Sequence, residues 1–185
     1  MTSEQILKLF PAFSEIKDKD IREKSLKAMN MAMKKGGWDE NNINICPVTL
    51  NWKNCDVSWI EHVNDVTNVC MLNFNALEKY YVRHNVKVSR DVVIAGALLH
   101  DIGKLTEFVC VEGKAVHSEN FELMRHPLSG AVIAAEAGLP DIIVHLIATH
   151  SFEGEKSYQT VESIFVRSMD IFVFNCSVRG LERRN

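Results

Sequence analysis

The sequence predicts a mainly α-helical bundle with one short β-hairpin near residues 107–117, and three observations carry that prediction. Apolar residues recur at helical spacing in successive stretches. Glycine and proline punctuate the intervals between those stretches. An alternating, β-rich pattern occurs once, in Phe108-Val-Cys-Val-Glu-Gly-Lys-Ala-Val.

In chain order, a short amphipathic start (Ile6, Leu7, Leu9, Phe10) closes at Pro11. The segment from Ser14 to Lys35 follows as a helix on the spacing of Ile16, Ile21, Leu26, Met29 and Met33, and Gly36-Gly37 ends it. The methionines Met29, Met31 and Met33 read as core filler. An Asn-rich connection to about Asn54, with Cys46-Pro47, lacks periodicity and is expected to wrap the domain or act as a lid. The next helix spans about Val57 to Val82, with Ile60, Val63, Val66, Val69, Cys70, Leu72, Phe74 and Leu77 on a broad apolar face.

Ser89 is the expected N-cap of a helix whose stripe of Val92, Val93, Ala95, Leu98 and Leu99 runs to a stop at Gly103, placing Asp101 in its last turn. A carboxylate there faces the negative end of the helix dipole, so a positive neighbour is expected, either a metal ion or Lys104. After the hairpin, which turns at Glu112-Gly113, come helices from His126 to Ala137, ended by Gly138, and from Asp141 to His150. A last helix from Thr160 to about Val178 is expected to turn Val161, Ile164, Phe165, Ile171 and Phe172 inward. No repeat or composition break marks a second domain. Residues 1–54 read as an N-terminal helical extension packed on the domain formed by 55–178, and 179–185 as a polar, frayed tail.

A length of 185 residues suffices to bury roughly two-thirds of the unfolded surface without staples. Net charge −3 and a pI near 6.2 argue against a general nucleic-acid-binding surface, and no dedicated module for one is visible. The cysteines at 46, 55, 70, 110 and 176 form no CxxC pair, which points to reduced thiols and a reducing compartment. With no signal-peptide pattern and no membrane-length apolar run, a cytoplasmic protein is expected. A homodimer is compatible with the sequence.

The candidate chemistry lies in His62, His100, Asp101, His126, His150 and Asp170. Apart from the adjacent His100 and Asp101, each sits on or at the edge of a separate predicted helix, and a bundle can aim such residues at one point. Imidazole and carboxylate donors suit one or two divalent ions of Mn, Fe, Co, Ni or Zn, with Asp101 as the candidate bridge. Taken singly, each histidine would read as a surface or hydrogen-bonded core residue. His145, five residues from His150, is expected in the core or behind the site. His84 is expected in solvent and His117 at a pocket edge. Glu107 is either a base behind the site or an ion-pair partner.

The ordered set Glu61-His62-Val63, Leu98-Leu99-His100-Asp101-Ile102-Gly103-Lys104, His126-Pro127-Leu128-Ser129-Gly130-Ala131, Ile147-Ala148-Thr149-His150 and Ser168-Met169-Asp170 resembles the HD-domain superfamily of metal-dependent phosphohydrolases. The resemblance covers about residues 57–178. It implies an HD-domain-like helical bundle in which His62, His100, Asp101 and Asp170 bind a first metal. In members with two metals it implies that Asp101 bridges while His126 and His150 bind the second. The cyclic-dinucleotide branch, which carries Gly-Tyr-Pro after the third histidine, is not matched, since Ser129-Gly130-Ala131 stands there. The hairpin and the His-Pro helix start are closer to HD domains attached to RNA exonucleases.

The function so implied is hydrolysis of a phosphate ester or anhydride of a small phosphorylated substrate, a nucleotide first among them, by metal-activated hydroxide. Lys104 is the group expected to stabilise charge developing on phosphate, its other reading being a cation complementing the helix dipole. Arg125 and Arg167 are further phosphate-binding candidates, with local ion pairs as the alternative. Two other functions share the ligand order: a mixed-valent di-iron oxygenase cleaving C–C or C–P bonds, and a regulatory HD domain without turnover.

Overall fold

A helix that is apolar all round must be surrounded. The helix α4 (Arg90–Leu99) is such a helix, every residue from Val92 to Leu99 being buried. The computed structural model describes residues 1–51 and 55–182, with side chains through Val178. The helices packed around α4 are α2 (Lys19–Gly36), α3 (Trp59–Arg83), α7 (Asp141–Thr149) and α8 (Val161–Glu182), and α1 (Ser3–Leu9), α5 (Lys104–Glu107) and α6 (His126–Ala137) complete the bundle. Ile94, Ala95, Leu98 and Leu99 face a larger core shared with Phe10, Phe13, Met29, Met33 and Trp59. Val93 and Ala97 face a smaller one with Val66, Cys70, Phe74, Phe165, Val166 and Val173.

The N-terminal elements join the larger core through Ile6, Phe10, Phe13 and Ile16. The helix expected from Ser14 instead divides into a 3₁₀ turn, Pro11–Glu15, and α2 from Lys19. The Asp91 carboxylate accepts hydrogen bonds from the backbone N–H groups of Lys17 (3.1 Å) and Asp18 (2.8 Å). Those donors are thereby withdrawn from a helix, and Asp18 becomes the N-cap of α2. The connection before α3 contains a 3₁₀ turn, Ile43–Ile45, and a bridge between Pro47 and Ser58; its part at 52–54 lies outside the described residues.

The end of α4 departs from expectation. The helix stops at Leu99 with His100 as C-cap, so Asp101 lies in the turn beyond it rather than in its last turn. Gly103 (φ −67) is not a left-handed stop. Its role is close approach: a Cβ there would lie 2.0 Å from the carbonyl oxygen of His126. Two indoles hold the turn, Trp59 Nε1 donating to the Asp101 carbonyl (3.1 Å) and Trp38 Nε1 to that of Leu105 (2.9 Å).

The hairpin is as expected: β1 (Phe108–Val111) pairs antiparallel with β2 (Lys114–His117), Phe108 opposite His117. Glu112 (φ 50) and Gly113 (φ 74) form the two-residue turn, both left-handed as a type I′ turn requires. Helices α6 and α7 follow the expected bounds closely.

Helix α8 presents a different face from the one expected. Ile164, Ile171 and Phe172 are exposed, Phe172 by 56%, while Ser163, Val166 and Val173 are buried along with Phe165. Val166, Asp170 and Val173 are spaced three and four residues apart on one face, so aiming Asp170 at the centre turns Ile171 and Phe172 outward. The helix also continues through Glu182, past the expected start of a frayed tail, whose residues 183–185 lie outside the described residues. On α3, Leu72 and Leu77 are likewise exposed rather than part of the apolar face. Among the described residues no helix is long and apolar enough to cross a membrane.

Candidate metal centre

The six predicted residues converge. His62 comes from α3, His100 and Asp101 from the end of α4, His126 from the first position of α6, His150 from the C-cap of α7 and Asp170 from the middle of α8. They form two groups whose donor atoms lie within 4.8 Å of one another: His62, His100 and Asp170; and Asp101, His126 and His150.

Asp101 links the two groups, because each of its oxygens faces a different one. Oδ1 is 3.4 Å from His126 Nε2 and 3.5 Å from His150 Nε2. Oδ2 is 3.5 Å from His100 Nε2 and 3.6 Å from His62 Nε2, and it accepts from Lys104 Nζ at 2.6 Å. Lys104 thus supplies one positive neighbour that the carboxylate was expected to need. In the first group His62 Nε2 lies 3.0 Å from Asp170 Oδ1 and 3.4 Å from His100 Nε2.

The chemistry of this donor set fits metal ions. His100 Nδ1 is 2.7 Å from the Ala97 carbonyl and His150 Nδ1 is 2.8 Å from that of Ile147, so each ring donates there and leaves Nε2 as a lone pair aimed inward. His126 Nδ1 similarly faces Glu107 Oε2 at 3.3 Å. Lone pairs and carboxylates so arranged repel unless a cation lies among them. The separations of 3.4–3.6 Å around Asp101 are also long for hydrogen bonds. They are near the edge, about 3.4 Å, of a tetrahedron with metal–ligand bonds of roughly 2.1 Å.

Burial and charge oppose each other at Asp101, Asp170, His62, His100 and His126. Burial works against ionising Asp101, but Lys104 and His100 outweigh it and hold its carboxyl well below the usual range. Asp170 is likewise opposed by burial, yet His100 and His62 bring it down to about 2. Burial lowers His62 and His126 below the ordinary imidazole value. It acts the same way on His100, but Asp101 and Asp170 outweigh it and raise that ring.

The centre opens into a cavity of about 420 Å³. Lys104, Arg125 and Arg167 all line it. Arg125 is engaged by the carboxylates of Glu107 and Glu153. Among the described residues Arg167 pairs with the more distant Glu155 (3.6 Å), and its Nε is buried without a hydrogen-bond partner. The remaining wall includes Leu50 and Asn51 of the connection before α3, Phe108 and His117 of the hairpin, Phe152 and Phe174.

Sequence reasoning did not single out Leu50, Asn51, Phe152, Glu153 or Phe174. Phe174 had a signal, four residues beyond Asp170 on the same helix face. The others lie in connections without periodicity. His84 is exposed, as expected, and His145 is half-buried with Nε2 2.8 Å from the Tyr158 carbonyl, outside the centre.

Comparison with known proteins agrees with this geometry. The chain is 30% identical, over 152 residues, to the dihydroneopterin 2',3'-cyclic phosphate phosphodiesterase of Methanocaldococcus jannaschii, covering 80% of this chain and 58% of that protein. The chain therefore spans a little over half the length of that relative. No solved structure matches it significantly. The family profile described as HD domain matches residues 59–174, a stretch that opens with α3 and takes in every residue of both donor groups. This chain belongs to the HD-domain family.

Proposed function

We propose that the protein is a metal-dependent phosphohydrolase that opens a phosphodiester in a small, nucleotide-like molecule. The observation that carries this reading is Asp101, whose two oxygens face two separate donor groups. His62, His100 and Asp170 with Asp101 Oδ2 would hold one divalent transition-metal ion, and His126 and His150 with Asp101 Oδ1 a second. When bound, such ions supply water of lowered pKa and polarise phosphate oxygens.

The chain's own residues do the rest. Lys104 Nζ, fixed beside Asp101, can turn to a phosphate oxygen and offset the charge that develops there. Arg167 brings a buried, unpartnered N–H to the same cavity and suits a second contact with the anion. A cavity of about 420 Å³ is of small-molecule size, and Phe108, Phe152 and Phe174 offer apolar faces to a flat ring. The similarity to a phosphodiesterase acting on a 2',3'-cyclic phosphate supports a cyclic diester as the substrate class.

The test is metal analysis of protein purified without chelator, paired with hydrolysis of a panel: 2',3'-cyclic nucleotides, bis-p-nitrophenyl phosphate and p-nitrophenyl phosphate. The diesters are expected to turn over with bound Mn, Fe, Co, Ni or Zn, and Asp101→Ala to lose both metal and activity. Full activity in Asp101→Ala would overturn the reading. So would abundant iron with a mixed-valent paramagnetic signal and oxygen consumption in place of hydrolysis.

A further inference from the structure

Helix α6 begins without a side-chain cap of its own, since Arg125 at the N-cap position makes none. It nevertheless starts on His126, whose ring must be aimed at Asp101. Glu107, at the end of α5 and only 3% exposed, meets both needs. Its Oε2 accepts from the backbone N–H of His126 at 2.7 Å and stands 3.3 Å from Nδ1 of the same residue. Its Oε1 accepts from Arg125, which also donates from Nε to Glu153 Oε1 at 3.2 Å. Glu153 in turn accepts from Ser151, the residue after His150. One run of contacts therefore joins the chain segments that carry His126 and His150.

Among the described residues the first donor group has nothing of this kind. His62 Nδ1 is buried without a hydrogen-bond partner, and His100 Nδ1 rests on the neutral Ala97 carbonyl. That group has Asp170 as a carboxylate of its own, whereas the second has only its share of Asp101. A carboxylate behind an imidazole fixes its tautomer and raises its basicity as a ligand.

Building on the two-metal reading above, we infer that Glu107 is the positioning residue of the second metal position, supplying through His126 the negative charge that this position otherwise lacks. Arg125 orients Glu107 and ties it to Glu153. Occupancy of the second position therefore depends on Glu107, and occupancy of the first does not.

The experiment is calorimetric titration of chelator-stripped full-length protein with Mn²⁺, with elemental analysis for stoichiometry and electron paramagnetic resonance for coupling between ions. Wild type is expected to take two ions with a coupled signal. Glu107→Ala is expected to keep one at an affinity within about twofold of wild type and to bind the other about 10- to 100-fold more weakly. It would then show an isolated Mn²⁺ signal and match His126→Ala. Glu107→Gln keeps an acceptor oxygen for both N–H groups but not the charge, and is expected to recover part of the loss. It carries the test if the alanine variant does not fold.

Two ions bound to Glu107→Ala as in wild type would overturn the inference, as would equal weakening of both ions, or Glu107→Gln identical to wild type. A wild type that takes up one ion, insensitive to His126→Ala, would overturn it as well. A wild type that takes up none would overturn the functional reading itself.

Discussion

Asp101 is 2% exposed and meets an ammonium and four imidazoles, so among the described residues no other combines so much burial with so much charge around it. Lys104 differs from it in having a choice of partner. Removing its ammonium in Lys104→Ala leaves all six donors in place; metal content should stay constant while kcat falls about 100-fold, more than KM rises, as loss of one charge-stabilising donor would give. Retention of full kcat would assign Lys104 to its ion pair with Asp101 alone. The metal-free protein should also show a defined acid limit. A carboxyl depressed in the folded state contributes stability that is present above its unfolded pKa, near 3.9, and lost as pH falls through its folded value, which for Asp170 is about 2. Near neutrality the histidines act with opposite signs, His62 and His126 being lowered while His100 is raised. Urea midpoints of the stripped protein should fall between about pH 4 and pH 2 as Asp170 is protonated, and Asp170→Asn should shallow that slope. An unchanged slope in Asp170→Asn would contradict this.

At the scale of elements, the turn after α4 is fixed by what packs on it. A methyl group at Gly103 would meet the His126 carbonyl oxygen at 2.0 Å and Ser129 Oγ at 2.5 Å. Backbone cannot yield as a flexible side chain can, so Gly103→Ala should cost about 1–3 kcal/mol in chemical unfolding and push the start of α6 away from Asp101. A variant of unchanged stability would show that this contact has slack. Elements with local signals were legible from residues alone: Glu112-Gly113 set the hairpin, Gly138 ended α6, and Ser89 capped α4. The orientation of α8 was not legible. Val161, Ile164, Phe165, Ile171 and Phe172 offer an apolar face, but four of the five lie on the exposed side, because the position of Asp170 decides the rotation of the helix. Likewise the break between Glu15 and Lys19 arises from a carboxylate more than seventy residues away, Asp91, which no local pattern can announce.

For the molecule as a whole, the six donors proposed from the sequence are brought together by the fold, His126 and His150 from helix ends, His62 from an early turn and Asp170 from mid-helix. The sequence carried their supports poorly. Glu107 was singled out, but Glu153, Trp38 and Trp59 act on N–H groups and carbonyls far along the chain, and their roles exist only once the helices have met. The same long-range assembly has a kinetic side. The first donor group rests on α3, α4 and α8, while His126 and His150 ride on the adjacent pair α6 and α7, and Asp101 turns one oxygen toward each. Ions bound there would act as reversible crosslinks between two sections of one chain. Amide hydrogen exchange should then be least protected in α6 and α7 after chelation, with α4 still slow because it is buried all round, and loading with Mn²⁺ should slow α6 and α7 selectively. Uniform slowing across all helices would mean that the molecule opens only as one unit. Selective slowing would make the helix pair a door on the cavity, with bound ions as its latch.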